Sequence, residues 1–139
     1  MEIHRNGSRP DMTGHDQWFT GKIAMAPVIG AEAPGRPGIV TLNFLPGART
    51  NWHTHPLGQT LIITAGRGRV QRAGGPVVEV LPGDVVWFSP GERHWHGAAP
   101  DAAMTHIAVQ AALDGVTVDW NDPVADADYL TPPGTIELK

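Results

Sequence analysis

The chain has 139 residues, 10 Lys+Arg against 14 Asp+Glu, and a formal net charge of -4, which is enough for one domain with its own core. Its basic residues are scattered, which argues against a nucleic-acid surface, and the absence of Cys excludes disulfides, thiolate nucleophiles and zinc–thiolate sites. The opening Met-Glu-Ile-His-Arg-Asn-Gly-Ser lacks the apolar run of a signal peptide and no stretch is apolar enough to span a membrane, so a cytoplasmic location without membrane partners is expected.

Residues 1–20 read as an irregular arm carrying Trp18 and Phe19. A first strand is expected over 22–29, a loop over 31–38 (with Pro34, Gly35, Pro37 and Gly38), and a second strand over 39–45, closed by Pro46-Gly47. Short strands follow over 51–55, 60–65, 68–72, 77–81, 85–88, 94–98 and 104–111, each bounded by Gly, Pro or Asp. One short acidic helix is expected over 123–130 and an extended tail over 131–139, placed to pack on a neighbouring subunit in an oligomer. Even, short spacing without a helical period predicts an all-β chain in a closed or nearly closed double sheet, which leaves no free edges. The whole chain reads as a single domain, 1–139, with its barrel core over 39–111.

Five of the seven histidines lie on these strands, and only His4 and His15 fall outside. Residues two apart on a strand share a face. His53 therefore projects with His55, His94 with His96, and Met104, His106, Ala108 and Gln110 together. Burying three imidazoles without partners is costly, and imidazole is the commonest protein metal ligand. His53, His55 and His94 thus point to one mononuclear metal centre.

The run Gly47, five residues, His53-Thr-His55, three residues, Gln59, six residues, Gly66 resembles the first cupin motif. Gly83-Asp84-Val-Val-Trp-Phe-Ser-Pro90-Gly91-Glu-Arg-His94 resembles the second. The resemblance implies a double-stranded β-helix (jelly-roll) barrel in which His53, His55, Gln59 and His94 are the metal ligands. Three positions depart from the family pattern: Gln59 stands where Glu is usual, Ser89 where the second motif has its first Pro, and Ala98 where it ends in Asn. Glu would bring a negative charge to the ion, whereas Gln brings a dipole. The site therefore leans toward Lewis-acid rather than oxygen chemistry, unless Gln59 is not a ligand and water completes a three-His site. Nitrogen and oxygen donors admit Mn, Fe or Zn.

A narrower resemblance covers most of residues 1–130. Gly47-Ala-Arg-Thr-Asn-Trp-His-Thr-His-Pro-Leu-Gly-Gln-Thr-Leu-Ile, the stretch from Gly83 to Pro100, Met104-Thr-His106, Trp18-Phe-Thr-Gly21 and Asp119-Trp120 are similar to the small bacterial cupin hydroxynitrile lyases. The resemblance implies one divalent metal per subunit, manganese first, and reversible cleavage of (R)-cyanohydrins such as mandelonitrile to an aldehyde and hydrogen cyanide. It also implies a homo-oligomer, dimer or tetramer.

That chemistry needs a base within hydrogen-bond reach of the substrate hydroxyl. His106 is the first candidate and His96 the second, with Gln110 placed to bond the nitrile nitrogen or orient the base. Val40, Leu42 and Phe44, with Ile62 and Thr64 on the neighbouring strand and Ala108, are the candidate walls of a substrate pocket. The competing readings are an oxygen-activating cupin dioxygenase and a non-catalytic small-ligand-binding cupin. The first predicts iron and oxygen consumption. The second leaves His96 and His106 without a purpose.

Overall fold

Short runs of Val, Ile, Thr, Phe and Trp, each closed by Gly or Pro, fold as antiparallel strands because β-branched and aromatic side chains pack well on a pleated surface. The computed structural model describes residues 1–31, 33 and 35–139. The loop expected over 31–38 includes Glu32 and Pro34, which lie outside the described residues. In chain order the strands are β1 (Met12–Thr13), β2 (Phe19–Thr20), β3 (Ile23–Ile29), β4 (Gly38–Phe44), β5 (Arg49–Thr50), β6 (His53–Thr54) and β7 (Gln59–Gly66). They continue with β8 (Gly68–Arg72), β9 (Val78–Val80), β10 (Val85–Phe88), β11 (His94–Ala98), β12 (Met104–Gln110) and β13 (Asp119–Trp120), before one helical turn, α1 (Asp126–Tyr129).

One sheet has the order β1-β3-β4-β12-β7-β10. The other runs β13-β6-β11-β5-β2, with β8 pairing β11 and β9. The two curl face to face as the jelly-roll that the motifs imply. Their inner faces meet in a core of Leu42, Phe44, Leu61, Ile63, Val70, Phe88, Met104 and Ala108. A second cluster, Trp52, Val77, Trp95, Val124 and Tyr129, lies outside the second sheet. There the C-terminal segment folds back and Arg49 sits 4.3 Å over the Tyr129 ring.

Several elements differ from expectation: the arm over 1–20 carries β1 and β2, which pair with β3 and β5, and β5 and β13 are strands that the sequence reading did not place. The strand expected over 51–55 contributes only His53–Thr54 to a ladder, because its neighbours turn to build the site. The helix expected over 123–130 is a single turn whose N-cap, Ala125, offers no side-chain bond, so nothing extends it. Ile62 and Thr64 face outward and are exposed, so neither can line an internal pocket. The parity of β7 explains this: Gln59, Leu61 and Ile63 are buried, and the positions between them must point the other way.

Candidate metal centre and its cavity

His53 and His94 face each other in register across β6 and β11, and His96 lies two residues further along the same face of β11. The turn between His55 and Gln59 is set by Gly58, at φ +79°. A Cβ there would strike the Trp87 ring and the Phe88 carbonyl, so only glycine lets the chain double back and start β7 with Gln59 inward. The second motif ties to the first through Gly91, whose N–H donates to the His55 carbonyl at 3.0 Å. Ring packing fixes the imidazoles from the sides: Phe88 stacks on His94 at 3.6 Å, and Trp120 lies 4.8 Å from His53.

Three imidazoles share one anchoring pattern. The Nδ1 of His53 meets the Asn51 carbonyl at 2.8 Å, that of His55 the Thr117 carbonyl at 2.6 Å, and that of His94 the Glu92 carbonyl at 2.8 Å. A carbonyl only accepts, so each Nδ1 carries the proton and each Nε2 presents a lone pair. The His55 Nε2 is buried without a partner. The His94 Nε2 sits 3.0 Å from Gln59 Oε1, while the Gln59 amide N–H donates to Gln110 Oε1 at 3.1 Å. A nitrogen lone pair thus faces an oxygen lone pair, a contact that a cation between them would make favourable. The ring nitrogens of His53, His94 and His96 lie within 4.8 Å of one another, so this group can hold a metal ion. The donor set fits a divalent ion and contains no competing proton.

Burial keeps these rings neutral. It holds His53 well below the usual imidazole range, with repulsion from His94 adding to the effect. It lowers His55 too, and pushes His94 down to about 3. For His94 that shift amounts to roughly 5 kcal/mol against protonation, so the lone pairs are free at neutral pH.

His96 and His106 form a different arrangement. The His106 Nε2 meets the His96 Nδ1 at 2.9 Å, and neither ring nitrogen bonds a carbonyl. The outer nitrogens, Nε2 of His96 and Nδ1 of His106, are buried without partners. Burial holds His96 well below its ordinary value, with repulsion from His106 second, and lowers His106 to about 3.

A cavity of about 150 Å³ opens beside the imidazoles. His53, His55, Gln59 and His96 form its polar side, with Gln110 at the mouth. Val40, Leu42 and Ala108 line it as expected. Phe44 instead lies in the core, 5.3 Å from the His106 ring. His106 does not line this cavity; it contacts His96, which does. Gln110 is committed to Gln59 and, at 3.3 Å, to the Gly38 carbonyl, so it orients the amide beside His94. A larger recess under the N-terminal arm adjoins the cavity and shares Met25, Val40, Gln110 and Thr117 with it.

Several contributors were given no role by the sequence reading. Phe19, Met25, Val118 and Trp120 complete the cavity wall. The backbone carbonyls of Asn51, Glu92 and Thr117 set the three tautomers, and the Thr50 hydroxyl accepts the His96 N–H at 3.2 Å. Only the aromatic residues Phe19 and Trp120 stand out in the sequence.

Residues 40–109 match the family model described as a cupin domain. The chain is 57% identical over 129 residues to an (R)-mandelonitrile lyase of Granulicella tundricola, covering 93% of this chain and 98% of that protein. A cupin-like protein from Thermotoga maritima superposes with a TM-score of 0.81 at 35% identity, covering 93% of this chain and 95% of that one. A predicted oxalate decarboxylase from the same organism gives 0.71 at 21% identity, over 81% and 100% of the two chains, and shares the fold. No helix among the described residues is long and apolar enough to cross a membrane.

Proposed function

The chain belongs to the cupin family, and on that premise we propose that it is a carbon–carbon lyase of the bacterial hydroxynitrile lyase branch. It cleaves small (R)-cyanohydrins, mandelonitrile among them, reversibly to an aldehyde and hydrogen cyanide. The observation that carries this reading is the 57% identity to an (R)-mandelonitrile lyase across 93% of the chain. The cavity is consistent with it: about 150 Å³ beside the imidazoles is room for a small substrate, below the roughly 300–1,000 Å³ typical of drug-sized ligands.

His53, His55, Gln59 and His94 would hold the ion. His55 is preferred to His96 because its Nδ1 is pinned by a carbonyl, as in His53 and His94, whereas the His96 Nδ1 faces another imidazole. The ion proposed is manganese, which the family resemblance implies, since a site of nitrogen and oxygen donors without thiolate accepts it. When bound, it supplies Lewis acidity to an oxygen in the cavity.

His96 acts as the base. Its Nε2 has no partner, and its ring lines the cavity. The substrate hydroxyl proton passes to that nitrogen, the carbon–carbon bond breaks with its electron pair leaving on cyanide, and the oxygen closes to a carbonyl. The same proton then returns from His96 to cyanide, so the products are an aldehyde and neutral hydrogen cyanide. His106 positions His96 through the 2.9 Å contact between the rings and shares the transient positive charge. Val40, Leu42 and Ala108 seat the organic substituent and exclude water from it. The test is cyanide release from (R)-mandelonitrile by purified protein, with metal content measured and oxygen excluded. Release that stops with chelator and returns with Mn supports the reading. Oxygen-dependent turnover, or none on any cyanohydrin, overturns it.

A further inference from the structure

We propose that the recess under the N-terminal arm is a second compartment of the substrate site, which binds a carboxylate at the far end of an elongated aldehyde or cyanohydrin. The inference rests on the cyanohydrin reading above and names a substrate class for it. The two spaces are neighbours. The recess, about 580 Å³, and the cavity beside the imidazoles, about 150 Å³, share Met25, Val40, Gln110 and Thr117. A substituent too long for the smaller space therefore continues past those four residues into the larger one.

The recess carries charge of one sign. Arg9 and Arg36 line it, and no Asp or Glu does among the described residues, although the chain as a whole has a net charge of -4. Pairing of Met12 with Met25 fixes the arm against β3. Both guanidiniums are held by backbone carbonyls around the end of that strand. The Arg9 Nη1 donates to the Pro27 carbonyl at 3.1 Å, and the Arg36 Nε to the Gly30 carbonyl at 2.9 Å. Arg36 also meets Glu2 at 3.3 Å, and Glu2 bonds His4 at 3.3 Å. Arg9 has no ion pair among the described residues, and its Nη2 is buried without a partner. A buried charged donor without an acceptor is costly. An anion in the recess supplies that acceptor.

The chemistry selects a carboxylate on a hydrocarbon spacer. Glu2 already offsets Arg36, so the charge left to answer is the single one of Arg9, which suits a monoanion. A guanidinium presents a planar fork that matches the two oxygens of a carboxylate. Met12, Pro27, Ile29 and Ile39 supply apolar wall around it, which suits the carbon skeleton between that group and the reacting carbon. The negative charge of the rest of the chain repels anions, so a locally basic recess decides where one binds.

Cleavage of mandelonitriles bearing a para carboxylate, carboxymethyl or carboxyethyl group, each beside its methyl ester, tests this. At least one acid should show a KM about tenfold below that of its ester with kcat unchanged, because a contact far from the reacting carbon is felt equally before and during reaction. Added salt should shrink the preference. Arg9→Gln should abolish it, whereas Arg5→Gln, outside the recess, should keep it. Calorimetric binding of the corresponding para-substituted benzaldehyde acids and esters reads the same contrast without turnover. Acids that are never preferred to their esters, or a preference that survives Arg9→Gln in folded protein, overturn the proposal. The two readings fail separately. Protein that binds the aldehyde acids through Arg9 but cleaves no cyanohydrin upholds the carboxylate site and overturns the lyase, and cleavage of mandelonitrile without any preference for acids does the reverse.

Discussion

The molecule holds five buried imidazoles in two arrangements, and the contrast underlies the division of work proposed for them. His53, His55 and His94 each spend one nitrogen on a backbone carbonyl and aim the other inward. His96 and His106 spend theirs on each other. A carbonyl cannot donate, so it fixes a tautomer permanently. An imidazole partner can donate or accept, so the pair can exchange its proton. The first arrangement suits the ligands and the second the proton carrier of the proposed reaction, although burial depresses all five.

The strongest way to break the contrast is to remove a ligand. His53→Ala should lose the metal and with it about 4 kcal/mol of charge stabilisation, roughly a thousandfold in kcat/KM, read as metal content beside cyanide release. Retained metal with full activity would remove His53 from the site.

Acid should separate the metal-free from the loaded protein. Unfolded imidazoles titrate near 6.5, whereas His94 and His106 hold off protons to about 3 in the fold. Above pH 6.5 both states are neutral and stability is flat. Below it the unfolded chain takes up protons that the fold refuses, so stability falls as pH drops toward 3. These two rings alone contribute about 3 kcal/mol per pH unit in that window. Urea unfolding of metal-free protein at stepped pH should show the loss. Metal should delay it, because protons compete for the same lone pairs. A flat profile from pH 6 to 4 would mean that the rings are not buried neutral.

Within the pair, His96→Ala should keep its metal and lose about a hundredfold in turnover. His106→Ala should lose less, about tenfold, and shift the pH profile of kcat by freeing His96 from its partner. The reverse order of losses would return the base to His106.

The fold and the gathering of His53 and His94 at one site were legible because motif spacing maps onto strand and turn geometry: His53 must share a face with its neighbours at even offsets, and Gly58 must turn the chain before Gln59. The same rule also places Ile62 and Thr64 outside, since with Gln59 inward every odd offset along β7 points away. Their apolar or small character says nothing about which face they occupy. The depth order of His96 and His106 was not legible, because it depends on how far β11 and β12 lie from the cavity. The Thr117 carbonyl that orients His55 was not legible either, because every residue carries a carbonyl.

The smallest effect expected concerns Gln59. Its amide nitrogen donates to Gln110 and its oxygen faces His94. Gln59→Glu keeps the shape and adds a negative charge, and Gln110, turning its own amide, can still bond the new carboxylate. Metal should therefore stay, bound more tightly, since an anion near a cation gains what a dipole cannot. The ion's pull on the substrate oxygen should weaken by the same cause, lowering kcat about tenfold. Gln110→Ala, tested alongside, should loosen metal about tenfold without adding charge. The two variants thus move metal affinity in opposite directions, and only Gln59→Glu is expected to lower kcat through charge. An unchanged kcat in Gln59→Glu would show that charge at this position does not govern the rate, and that the amide serves only to keep the imidazoles in place.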